Sequence, residues 1–152
     1  MAPGAFRTLT GAERGLAHET FGAALDCERV RVFAIPLWPR AFVPGGRLIV
    51  WPARQAWTDF SRAPLALQSV FIHELTHVWQ AQTRGRWFLV LRRHPFCRYD
   101  YSLKPGWPLE RYGLEQQAEI MRHAFLLRRG VKLAGVAGKQ AYDALVDFAE
   151  RK

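Results

Sequence analysis

The chain has 152 residues, 49% of them hydrophobic, enough to bury one core and too short to divide into two domains of ordinary size. Its longest apolar runs, "VFAIPLWP" and "WFLVL", are far below the ~20 residues that span a bilayer, and "MAPGAFRTLT" lacks a signal peptide's apolar core, so the expectation is a single cytoplasmic domain without a membrane anchor, non-classical secretion aside. The net charge of +9 comes from 22 basic residues, 18 of them arginine, spread along the sequence; only Arg84, Arg86, Arg92, Arg93 and Arg98, interleaved with Trp87, Phe88, His94 and Phe96, are dense enough to suggest a grip on phosphates, and a solvated basic face is the favoured reading of them.

In chain order, Thr10 and Glu13 have the spacing of a capping box, and Leu16, Phe21 and Leu25 predict a helix ending near Asp26. The β-branched runs Arg29 to Ile35 and Arg47 to Ala53, punctuated by Pro36, Pro39, Pro44, Gly45 and Gly46, predict two or three short strands. A long helix follows from Pro64 to Arg84, with Pro64 suited to its first turn and Gly85 to its end. From Arg86 to Pro108 the chain is aromatic and proline-rich, the composition of an irregular connection. A second long helix is expected over Leu109 to Arg129, and a last one over Gly138 to Arg151 with Tyr142, Leu145, Val146 and Ala149 on one face. The fold class is α+β. Cys27 and Cys97, 70 positions apart, suggest free thiols rather than a disulfide framework or a cysteine metal site.

The helix from Pro64 to Arg84 carries "FIHELTHVWQ", Phe71 to Gln80. Leu67, Val70, Phe71, Ile72, Leu75, Val78 and Trp79 cover nearly its whole circumference, the pattern of a helix buried within a domain. Three ionisable groups inside such a helix need partners, since burial without them costs several kcal/mol each. His73 and His77 are one turn apart and project from the same face, so one ion can satisfy both. Glu74 follows the first histidine directly, giving the HExxH spacing in which two imidazoles bind zinc and the glutamate takes a proton from the metal's water. Such a site needs a third protein ligand. Position 83, where a metzincin would carry a histidine, is Thr83, and the remaining histidines His18, His94 and His123 lack matching local spacing. "LEQQAEI", Leu114 to Ile120, offers Glu115 or Glu119. On the same helix Tyr112 and His123 share their face, and either could donate to an oxyanion.

The HExxH segment with "EQQAE", Glu115 to Glu119, resembles the gluzincins, zinc metallopeptidases whose third ligand is a glutamate opening an E-x-x-A-D segment, with Glu119 here in the aspartate's place. "FIHELTHVWQ", "YDYSLKPGWPLERYGLEQQAE" and the hairpin-like "VPGGRLIVW" also resemble small bacterial proteins described as Vgr-related or Rhs-element Vgr-like, a resemblance that implies a type VI secretion context. The gluzincin resemblance implies a reduced zincin-like fold, a small sheet on an HExxH helix, with "GRLIVW" as the candidate for the edge strand that pairs with an extended peptide, an ordinary core strand being the alternative. It further implies His73, His77 and Glu115 as zinc ligands, Glu74 as general base, Glu119 as the carboxylate behind a ligand histidine, and Ala118 where the helices approach. The function expected is that of a zinc peptidase acting on peptides or proteins. The alternatives are a zinc-stabilised adaptor without efficient hydrolysis and a peptidase recruited to nucleic acid; nothing in the sequence fixes the oligomeric state.

Overall fold

A computed structural model describes residues 1–85, 87–92 and 97–147, without the side chains of 90 and 92. Among these residues the fold is α+β, with a mixed four-stranded sheet in the order β1-β2-β4-β3. β1 is Phe6–Thr8, β2 Arg31–Ile35, β3 Phe42–Gly45 and β4 Leu48–Pro52. β2 runs parallel to β4, while β1 and β3 pair antiparallel on either flank. The expected β-branched runs are thus the two central strands. β1 and β3 are too short, and β3 too rich in proline and glycine, to carry an alternating pattern of their own. Because β4 lies between β2 and β3, its backbone is engaged on both sides, and the "GRLIVW" segment is not an edge strand. Edge positions belong to β1 and β3.

Helix α1, Gly11–Phe21, starts at the capping box foreseen at Thr10: Glu13 N–H donates to Thr10 Oγ1 and Thr10 N–H to Glu13 Oε2. It stops earlier than expected, because Gly22 at φ 55° leaves helical backbone space and only 3-10 turns continue to Ala24. Glu13 does more than cap. It is 0% exposed, takes both guanidinium nitrogens of Arg7 at 2.6 Å and accepts the Phe60 N–H at 2.7 Å, so one carboxylate ties α1 to β1 and to the turn before the next helix.

That helix, α2, spans Leu65–Arg84 and is buried on every side from Phe71 to Ala81. It packs against β3 and β4 and against α4, Leu114–Arg128, with Trp51, Phe60 and Phe71 clustered at the sheet contact, Phe60 and Phe71 stacked at 4.8 Å. At its C-terminal end the Gln82 amide donates to Gly46 O and Asp26 O. A Cβ on Gly46 would stand 3.1 Å from Gln82 Cγ and 3.3 Å from its backbone N, so glycine eases the close approach of the β3–β4 turn to the helix.

The second long helix begins later than expected. Leu109–Arg111 form a 3-10 turn, Tyr112 is extended at φ −80° and ψ 155°, and α4 starts after Gly113, whose N–H donates to Gln116 Oε1. A short helix α3, Phe88–Arg92, lies in the connection expected to be irregular, and α5 is described over Lys139–Leu145. Ala149 and Arg151, and the cluster members Arg86, Arg93, His94 and Phe96, lie outside the described residues. Cys27 and Cys97 are half-buried and not joined in a disulfide.

Candidate metal centre

α2 and α4 bring His73, His77 and Glu115 together, 9%, 1% and 3% exposed. His73 Nε2 lies 3.2 Å from His77 Nε2, and Glu115 Oε2 lies 3.3 Å from the first and 3.1 Å from the second. Three ligand atoms about 2.1 Å from one tetrahedral ion stand about 3.4 Å apart. The triangle therefore has the size that a small four-coordinate cation requires, and it lies on the side of each imidazole that can present a lone pair.

The opposite ring nitrogens fix that orientation. His73 Nδ1 is 2.8 Å from Glu119 Oε1, and His77 Nδ1 is 2.9 Å from Gln80 Oε1. A carboxylate only accepts, so His73 carries its proton on Nδ1 and leaves Nε2 free for the centre. Gln80 is oriented in turn, since its amide nitrogen donates to Leu114 O and to Gln117 Oε1, both at 3.0 Å. That leaves its oxygen for His77, whose Nδ1 is the donor.

With the two imidazole Nε2 atoms turned inward beside a carboxylate oxygen, the triad holds three acceptors within contact distance and asks for a positive charge. The electrostatics agree. Burial disfavours charging of the His73 imidazole, yet its hydrogen bonds to Glu115 and Glu119 outweigh burial and push its pKa up to about 9. Burial likewise opposes ionisation of Glu115, but His73 and His77 hold its carboxyl well below the usual carboxylate range. Without an ion, a proton supplies the charge; the donor set N, N, O fits a divalent cation in its place.

Glu74, the next residue on α2, is 6% exposed. The exposed Tyr99 ring lies over His73, 6.4 Å between centroids and 16° from parallel. Glu119 also meets Arg122 at 3.4 Å and His123 Nε2 at 3.7 Å. Tyr112 does not share the α4 face, because it precedes the helix; its hydroxyl accepts from Lys104 N–H at 2.8 Å. His123 is engaged by Tyr101 on its Nδ1 side. Gln80, Tyr99, Tyr101 and Tyr142 carry parts of this region that the motif alone does not announce. For Gln80 a signal exists: an amide three residues after His77, on the same face of an otherwise apolar helix, needs a partner inside.

A small α+β domain with a buried histidine–histidine–glutamate cluster between two helices is the class that fold and site define. No family model matches the chain. The type VI secretion system spike protein VgrG2b of Pseudomonas aeruginosa is 34% identical over an alignment of 132 positions that covers 79% of this chain and 13% of that protein. The solved effector domain of Pseudomonas aeruginosa VgrG2b matches with a TM-score of 0.69 at 31% identity, covering 93% of this chain and 84% of that one. The chain belongs to the family of the VgrG2b effector domain.

Proposed function

We propose that the chain is a zinc-dependent hydrolase, most simply a peptidase, serving as the effector module of a type VI secretion spike. The reading rests on the triangle of His73 Nε2, His77 Nε2 and Glu115 Oε2, with edges of 3.1 to 3.3 Å. Two imidazoles and one carboxylate are the donor set that zinc takes in hydrolytic sites with an open position. A zinc ion held there would acidify its water and polarise a substrate carbonyl.

The chain's own groups supply the rest. Glu74, buried beside His73 and four-fifths of a turn from His77, is the proton acceptor, and a carboxylate kept from bulk water takes and returns a proton within the site. Glu119 and Gln80 hold the two imidazoles in the tautomer that binds. Burial of the cluster keeps competing water from the ligands. The likeness to a domain named as an effector, and to a short portion of a spike protein, supports delivery by, or attachment to, such a spike.

The test is Glu74→Gln, which keeps the shape of the side chain and cannot accept the proton. It retains zinc and loses hydrolysis of a broad peptide library by about a hundredfold or more. Wild type and variant cleaving equally poorly would favour a metal-stabilised adaptor instead; wild type without zinc after metal-replete purification would remove the reading altogether.

A further inference from the structure

Behind Glu119 stands a chain of polar groups that no part of the hydrolytic reading uses. Tyr142 of α5 is 1% exposed, and its hydroxyl lies 2.6 Å from that of Tyr101, in the segment between α3 and α4. The Tyr101 hydroxyl also bonds His123 Nδ1. His123 Nε2 faces Glu119 Oε2 at 3.7 Å, a charge–dipole contact longer than a formed hydrogen bond. Glu119 Oε1 then takes His73 Nδ1 at 2.8 Å.

With His123 Nε2–H set toward Glu119, which Arg122 Nη1 also meets at 3.4 Å, one arrangement of protons gives every hydrogen bond of the chain a donor. For His73 Nε2 to face an ion, Nδ1 must donate to Glu119. Glu119, which only accepts, calls for the proton of His123 on Nε2. His123 Nδ1 is then an acceptor, so the Tyr101 O–H donates to it, and the Tyr101 oxygen accepts from Tyr142 O–H. Each donor points one step nearer the centre. Tyr112, whose ring lies 6.4 Å from Tyr101, is outside this order because its hydroxyl serves Lys104 N–H.

We propose that Tyr101, with Tyr142 and His123, is a positioning relay that fixes Glu119 and through it the metal-binding tautomer of His73, so that docking of α5 and of the Tyr101 segment tightens metal retention. The relay rests on the metal reading of the site. It makes the centre dependent on elements that supply no ligand: α5 is held to α4 at Arg128 by Asp143, 2.7 Å, and inward at Tyr142, so its departure removes the outermost donor.

Tyr101→Phe keeps the ring and deletes the hydroxyl that joins the two ends. In competition titrations against a zinc chelator, the full chain carrying Tyr101→Phe should bind zinc about three- to tenfold more weakly, less than the ten- to hundredfold typical of a direct partner of a ligand. Tyr142→Phe should show a smaller loss in the same direction, and Tyr112→Phe none. In a Glu119→Gln background, Tyr101→Phe should add nothing, since the group through which it acts has changed. A purely structural role would lower the melting temperature of the metal-free protein and leave the affinity alone. Wild-type affinity in Tyr101→Phe, or the same loss with and without Glu119, overturns the relay while the metal site stands; wild type that takes up no zinc overturns both.

Discussion

Glu115 and Glu119 sit one turn apart on α4 and do different things. Glu115 Oε2 lies within 3.3 Å of both ring nitrogens that face the centre, whereas of the two imidazoles there Glu119 meets only that of His73, on the far side of its ring. We therefore expect Glu115→Ala to abolish zinc binding and Glu119→Ala to weaken it by about ten- to a hundredfold, read by chelator competition. The reverse order would exchange their roles. Gln80 belongs at the same scale: Gln80→Leu removes the acceptor for His77 Nδ1 and leaves the buried acceptors Leu114 O and Gln117 Oε1 without their donor, so it should cost about 1–3 kcal/mol in urea unfolding of the metal-free protein as well as zinc affinity. Much of this site was legible in the sequence because helix geometry turns the spacing of His73 and His77 directly into a shared face. Spacing alone could not rank the two glutamates, since either lies at an acceptable distance along the chain on a separate helix. The partners of His123 were out of reach for a different reason: Tyr101 and Tyr142 are brought to it by tertiary packing, and no local period relates them.

The elements differ in how openly they declare themselves. α2 is bounded by Pro64 and Gly85 and packed with apolar residues, so its length could be read from sequence within a residue. α4 hides its start, because Tyr112 and Gly113 extend the chain between a 3-10 turn and the helix, and a periodic pattern does not register a two-residue interruption. β1 is three residues long and owes its existence to pairing with β2, a contact no short run of sequence encodes. Two predictions belong to elements. An ion shared by α2 and α4 is linked to folding, so removing zinc held at about a thousand times its Kd should cost about 4 kcal/mol and lower the melting temperature by on the order of 10 °C. An unchanged melting curve on chelation would mean that the ion does not join the two helices. Glu13→Ala removes the carboxylate half of the α1 capping box, the acceptor of the Thr10 N–H, strands the Phe60 N–H and leaves Arg7 without its carboxylate, and should cost about 3 kcal/mol by chemical denaturation without changing zinc affinity.

Across the whole molecule, the charge of +9 is distributed rather than focused. Among the described residues Arg98 is paired with Asp100 at 3.2 Å, Arg7 with Glu13 and Arg129 with Glu19. We expect any affinity for duplex DNA at low salt to vanish between about 50 and 200 mM salt without sequence preference; binding that persists would revive a nucleic-acid role for the arginine-rich segment. Among the described residues no helix is long and apolar enough to cross a membrane. The division of the ligands between helices, two on α2 and one on α4, also bears on time. An ion in this site loses Glu115 only when α4 parts from α2, and until then it is walled in by groups that are at most 9% exposed. Its exchange with a chelator should then run at the rate of that parting, level off as chelator is added, and rise with temperature as steeply as unfolding does, which makes the metal's residence time a clock for the opening of the protein.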